Sequence, residues 1–221
     1  MCGRFALYSS AEELAEAFAL SELPPVAARY NIAPTQPVVA IRSDASGERR
    51  AVFLRWGLIP AWAKDPTIGN RLINARAETI AEKPAFRSAF KYRRCLIPAS
   101  GFYEWQRTGN KKQPFYIHPH GDRPFAFAGL WEHWQEPGGS ELETCTILTT
   151  AANQQTKAIH DRMPVILESQ SYELWLDTSV QKPQVLLPLL VPYSAGQIEI
   201  YPVSTAVNNP ANDGPLCLQR A

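Results

Sequence analysis

A succession of short β-rich runs, each closed by proline or glycine, constrains this chain more than any other feature. The runs lie at 38–41, 51–56, 95–98, 102–105, 114–117, 125–131 and 144–149. Valine, isoleucine and aromatic residues dominate them, and runs this short are strand-sized. Thr108-Gly109-Asn110 between two runs reads as a hairpin turn and Pro137-Gly138-Gly139 as another, so neighbouring strands are expected to pair antiparallel. One amphipathic helix precedes them, where Ser10 with Glu13 forms a capping-box pattern ahead of Leu14, Ala17 and Phe18. Further helical pieces are predicted over 153–159 and 169–176, a strand over 198–203, and loop-like chain from Asn208 onward. The 19 prolines are spread along the chain rather than gathered at one boundary. The reading is an α+β fold in a single domain, residues 1–221.

Composition narrows the function classes. A chain with 45% hydrophobic and 19% charged residues reads as soluble and globular, and no apolar run approaches the roughly 20 residues of a membrane helix. Nothing at the N-terminus resembles a signal peptide, so the expected compartment is the cytoplasm. Cys2, Cys95, Cys145 and Cys217 are too far apart for paired metal-ligand spacing and too few for a disulfide scaffold. No metal and no cofactor are expected. With a formal net charge of only +1, any nucleic-acid binding must come from a local basic patch.

The residue with the most distinctive chemistry is Cys2. Methionine removal requires a small second residue, which cysteine is, so the mature chain can begin with a free amine and a thiol on adjacent carbons. An α-amino group titrates near about 7.7 to 8.0, against about 10.4 for lysine, so far more of it is nucleophilic at neutral pH. With an aldehyde the amine forms a Schiff base and the thiol closes on the imine carbon, giving a five-membered thiazolidine. Gly3, Arg4 and Phe5 follow it: a flexible residue, a cation and an aromatic anchor.

Other candidates stand at structured junctions. His160, in 159–164, lies between a predicted short helix and an apolar run, where it can act as acid or base or be a hydrogen-bonded structural residue. Glu104 sits among Phe102, Tyr103 and Trp105, which can shield its carboxylate and raise its pKa, unless it simply points to solvent. Asn74 and Arg76 present an amide and a guanidinium that suit phosphate or sugar contacts, or else a turn with a surface salt bridge. Of the two tryptophans around Gly57 and Pro60, Trp56 is expected in the core and Trp62 as an exposed stacking wedge.

Taken in order, Cys2-Gly3-Arg4-Phe5, Arg29-Tyr30-Asn31-Ile32-Ala33-Pro34, Trp56-Gly57-Leu58-Ile59-Pro60, Asn74-Ala75-Arg76-Ala77-Glu78-Thr79, Gly101-Phe102-Tyr103-Glu104-Trp105 and Ile159-His160-Asp161-Arg162-Met163-Pro164 resemble the SRAP family, the SOS-response-associated peptidase domain proteins that crosslink to abasic sites in single-stranded DNA. The resemblance spans nearly the whole chain. It implies a β-barrel-like core of antiparallel strands flanked by short helices, with the reactive N-terminus in a groove for single-stranded DNA. It implies that Cys2 forms the thiazolidine with the ring-opened abasic sugar, surrounded by Asn74, Glu104 and His160. It places Arg4 and Arg76 on phosphates beside the lesion, Asn31 and Pro34 in a loop lining the groove, and Trp62 as the wedge. Some family members carry a second aromatic where this chain has Ala63, so a weaker wedge and a looser junction preference are expected. The family also implies self-removal of Met1, strand cleavage through Schiff-base elimination, and slow reversal of the crosslink.

Two other classes fit parts of the pattern. A cysteine peptidase would use Cys2 as nucleophile, His160 as base and Glu104 as orienter. A non-catalytic binding module would only hold single-stranded nucleic acid on its tryptophans and arginines. A monomer is expected.

Overall fold

The computed structural model describes residues 2–44, 46–109, 111–121, 123–136 and 138–221. In chain order its elements are β1 (Phe5–Leu7), α1 (Ala11–Phe18), β2 (Arg29–Ile32), β3 (Pro37–Ser43), β4 (Arg49–Trp56), β5 (Asn74–Arg76), α2 (Arg87–Tyr92), β6 (Arg94–Ala99), β7 (Gly101–Thr108), β8 (Lys111–Pro119), β9 (Phe125–Gln135), β10 (Glu141–Ala151), β11 (Arg162–Pro164), β12 (Ile166–Leu167), α3 (Tyr172–Leu176), α4 (Pro183–Leu186) and β13 (Ile198–Pro202).

Local chemistry accounts for the element ends. At α1, Ser10 Oγ accepts from the Glu13 amide at 3.2 Å while Glu13 Oε2 accepts from the Ser10 amide at 2.8 Å, a complete capping box. Leu14 and Phe18 face the core, and Ala19 stops the helix in the left-handed region at φ 52°. The β7–β8 hairpin pairs from Thr108 against Lys111, although Asn110 lies outside the described residues. Likewise β9 and β10 pair from Gln135 against Glu141, with Gly138 and Gly139 at positive φ and Pro137 outside the described residues.

Strands β10, β4, β3, β6 and β9 pair in that order, and β9 pairs back onto β10, so five strands close into a barrel. Closure leaves no open edge among them. Most ladders are antiparallel, as expected, but β10 runs parallel to both β4 and β5. All six residues of β6 are buried, since its inner face fills the barrel and α3 packs outside it. A second, antiparallel sheet of order β13-β8-β7-β1-β2 lies against the barrel. Phe5, Phe102 and Ile117 from this sheet share one hydrophobic cluster with Trp56, Phe127 and Ile147 from the barrel.

Two expectations need correction. Residues 153–159 hold only a 3-10 turn, Thr156–Ala158, because Asn153 Oδ1 takes the Gln155 and Thr156 amides and closes the segment as a turn. The chain beyond Asn208 is not simply loop: it contains a 3-10 turn at Pro215–Leu218 and a bridge between Val203 and Arg220.

Candidate functional site

Strand pairing converges three separate motifs on residue 2. Phe5 pairs with Phe102 and Ala6 with Gly101, and the Tyr103 amide donates to the Arg4 carbonyl at 3.0 Å. Continuing that register sets Gly3 opposite Glu104. Position 101 admits only glycine, since a Cβ there would meet the ring of Tyr116, from β8, at 2.2 Å. Asn74 reaches the same point from β5, with its Nδ2 donating to the Cys2 carbonyl at 2.7 Å. Its own position is held from both sides: the buried Trp56 indole donates to the Ile73 carbonyl at 2.8 Å, and the Ile147 amide donates to it at 3.1 Å.

His160 arrives through β11. Thr149 of β10 pairs with Arg76 on one side and Pro164 on the other, so one strand sets the spacing of the Asn74 and His160 segments. Arg162 ties them together, donating to both Glu78 carboxylate oxygens and to the Thr149 carbonyl. Gln106 Nε2 adds a bond to the Ala158 carbonyl at 3.0 Å. His160 Nδ1 lies 3.0 Å from the Arg162 amide and 2.8 Å from Asp161 Oδ1. The peptide plane fixes the amide hydrogen, so in the neutral ring Nδ1 accepts from it and Nε2 carries the proton.

The electrostatics follow from burial. Cys2 is fully buried, and desolvation, then the charge of Glu104, pushes its thiol well above the ordinary range. Burial, the largest influence, likewise pushes the Glu104 carboxyl up. Glu104 can therefore hold or release a proton nearer neutrality than an exposed glutamate does. Beside these groups opens a cavity of about 790 Å³, walled by Arg4, Glu104, Trp105, Arg107, Lys112 and His160, with Asn208 at one rim.

Cys2, Asn74, Glu104 and His160 thus come together, and Arg4 borders them. The other expected contacts do not line that cavity. Asn31 is fully buried, its amide nitrogen lying 2.7, 3.1 and 3.2 Å from the carbonyls of Asn212, Asn209 and Val207. Pro34 is half-buried in the turn after β2, and Arg76 is exposed on β5. Trp56 is in the core, whereas Trp62 is 62% exposed over a separate hollow formed with Lys64, Asp65, Ile68 and Arg71. Ala63 packs beneath it with Ile59 and Trp134. Sequence reasoning gave Trp105 only a shielding role beside Glu104 and gave none to Gln106, Arg107, Lys112 or Asn208. The first three of these become cavity walls through strand register, and Asn208 through the turn Thr205–Asn208. Among the described residues no three His, Cys, Asp or Glu side chains converge as a metal site requires.

Comparison with known proteins covers nearly the whole chain. The family model described as SOS response associated peptidase (SRAP) matches residues 1–210. The abasic site processing protein YoqW of Bacillus subtilis (strain 168) is 47% identical over 223 residues, covering 99% of each chain. The abasic site processing protein HMCES of Xenopus tropicalis is 37% identical over 219 residues, covering 86% of this chain and 65% of its own. A crystal structure of a protein from Bacteroides thetaiotaomicron matches over the whole of both chains with a TM-score of 0.89 and 29% sequence identity.

Proposed function

The chain belongs to the SOS response associated peptidase (SRAP) family, and from that premise we propose that it processes abasic sites in single-stranded DNA by forming a thiazolidine crosslink through Cys2. The observation that carries the reading is the convergence of Asn74, Glu104 and His160 on residue 2 beside a cavity bordered by Arg4.

The chemistry runs in balanced steps. Hydrolysis of the Met1–Cys2 bond, which we assign to the protein itself, frees the Cys2 amine. His160 donates a proton to the sugar ring oxygen as the C1′–O4′ bond breaks, and the C1′ hydroxyl gives up its proton to water, leaving the open aldehyde. The amine adds to that aldehyde and water leaves, giving an imine. Glu104 carries protons at the amine in this step, and Asn74 holds the Cys2 carbonyl so that amine and thiol face one carbon. The thiol sulfur then bonds to the imine carbon. Its proton passes through Glu104 to the nitrogen, so the buried thiol need never persist as a thiolate. A proton lost instead from the sugar carbon next to the imine would expel the 3′ phosphate, which is the strand-cleavage branch. Ring closure competes with it.

Arg4 and Arg76 are assigned to phosphates, which position a strand without reading its sequence. Trp62 is assigned to stacking beside the lesion, and Asn31 and Pro34 to the same binding region, Asn31 through its bond to Arg4. The test is a denaturing gel of mature protein and Cys2→Ala with single-stranded DNA carrying one abasic site. A Cys2-dependent protein–DNA band, absent with intact DNA, is expected. No band from protein whose mass shows Met1 removed would overturn the crosslinking reading in favour of a peptidase.

A further inference from the structure

Segment 203–213 runs as a strap from the Val203 amide, which donates to the Pro114 carbonyl of β8, to Asp213 beside β2, and supplies Asn208 to the cavity wall. Its 3-10 turn, Thr205–Asn208, is capped by Ser204 and seats Val207 fully in the interior. Asp213 locks its far end. Asp213 Oδ1 accepts the amides of Tyr30 at 2.6 Å and Asn31 at 2.8 Å, and Oδ2 pairs with Arg29 Nε. Burial would raise this carboxyl, but Arg29 and the two amides outweigh it and hold Asp213 below the usual range. Asp213 lies beyond residue 210, where the match to the family model ends.

The strap and its clamp bear directly on two cavity walls. Arg4 Nη1 donates to Asn31 Oδ1 at 2.7 Å and to the Val207 carbonyl at 2.8 Å. Both acceptors are neutral, Arg4 Nε is buried without a partner, and among the described residues no carboxylate pairs with this guanidinium. Its charge is left for an anion from outside. The guanidinium carbon also sits 5.7 Å from the centre of the Trp105 ring, whose indole donates to Asn208 Oδ1 at 2.7 Å. Asn31 joins the two parts, since its oxygen holds Arg4 while its nitrogen faces three strap carbonyls.

We infer that Asp213 is a positioning residue of the DNA site: by clamping the strap to 29–31 it sets the Asn31 oxygen and the Val207 carbonyl that aim Arg4 at a strand phosphate. The inference rests on the DNA reading above and adds to it a residue that does not itself touch DNA. Arg4 presented on a fixed platform loses little freedom on binding, whereas on a loosened strap the same cation must be ordered by the ligand.

A double-mutant cycle tests it, using mature wild type, Asp213→Asn, Arg4→Gln and the double variant, with affinity for intact single-stranded DNA read by fluorescence anisotropy. Asp213→Asn is expected to weaken binding on the order of tenfold when Arg4 is present and less than about twofold when Arg4 is Gln. Equal weakening in both backgrounds, or none in either, overturns the positioning role. If Arg4→Gln itself binds as tightly as wild type, the phosphate assignment of Arg4 fails, and the inference fails with it by that separate signature. Should Asp213→Asn not fold, Arg29→Gln, which removes one clamp contact and keeps two, enters the same cycle under the same criterion.

Discussion

Glu104 sets the pH behaviour of the site. Burial pushes its carboxyl above the ordinary range, so the fold favours the protonated form. That stabilisation is complete below the unfolded value of about 4.3 and is lost as pH rises through the folded value. Glu104→Gln removes the titration. The variant is expected to melt at higher temperature than wild type at about pH 8, with the gap closing toward about pH 4; a gap that stays constant across that range would eliminate burial as its cause. The same variant should crosslink on the order of a hundredfold more slowly, because Gln cannot relay a proton. Crosslinking at the wild-type rate would remove the relay role. Asn74→Ala loses the bond to the Cys2 carbonyl, and its single-turnover crosslinking is expected to slow by about tenfold without a comparable loss in DNA affinity.

The elements are fastened by a few polar anchors placed where strands and helices end. Arg94, at the start of β6, is 2% exposed and donates to the carbonyls of Phe90, Lys91, Trp175, Asp177 and Val180. Burial lowers its pKa to about 10, so it is still charged at neutrality, and its guanidinium carbon lies 5.7 Å from the Trp175 ring centre. One side chain therefore satisfies carbonyls around the ends of α2 and α3 and packs both helices on the barrel. Arg94→Met leaves several of those carbonyls unpartnered. Urea unfolding should show a loss of about 3 kcal/mol or more, with crosslinking per folded molecule unchanged. A loss below about 1 kcal/mol would mean that water replaces the guanidinium. Gly101 is the matching constraint in the second sheet, because any Cβ there collides with the ring of Tyr116 on β8.

For the molecule as a whole, function depends on local rather than net charge. The chain carries only +1, yet the cavity gathers Arg4, Arg107 and Lys112 around a glutamate whose carboxyl burial disfavours as an anion. Arg107 stands directly across from Lys112 in the β7–β8 ladder, and neither forms an ion pair among the described residues. Like charges opposed across strands cost stability, a cost that a bound phosphate removes. Binding of intact single-stranded DNA should therefore fall steeply with salt, and each of Arg107→Gln and Lys112→Gln should flatten the log–log slope by about 0.7. An unchanged slope in both would place the strand elsewhere.

Much of this was legible in the residue order, because its causes are local. The Ser10–Glu13 cap, the β-rich runs, the buried Trp56 and the exposed Trp62 depend on contacts within a few positions or on the apolar character of single segments. The reactivity expected of Cys2 is a property of one residue at one position. The missed strands β1, β2, β5, β11 and β12 are too short to show a period, and long-range pairing alone makes them strands. Their adjacency decides the site. Nothing near residue 2 encodes that Asn74 will bond to its carbonyl, that β10 will run parallel to β4 and β5, or that the chain at Val207 will return to hold Arg4. Those facts depend on the register of a closed barrel and a second sheet, which is settled only when all the strands choose partners together. Sequence by itself determined the chemistry available and the elements that carry it; tertiary structure alone decided which groups meet, because that choice is made by packing across the whole chain.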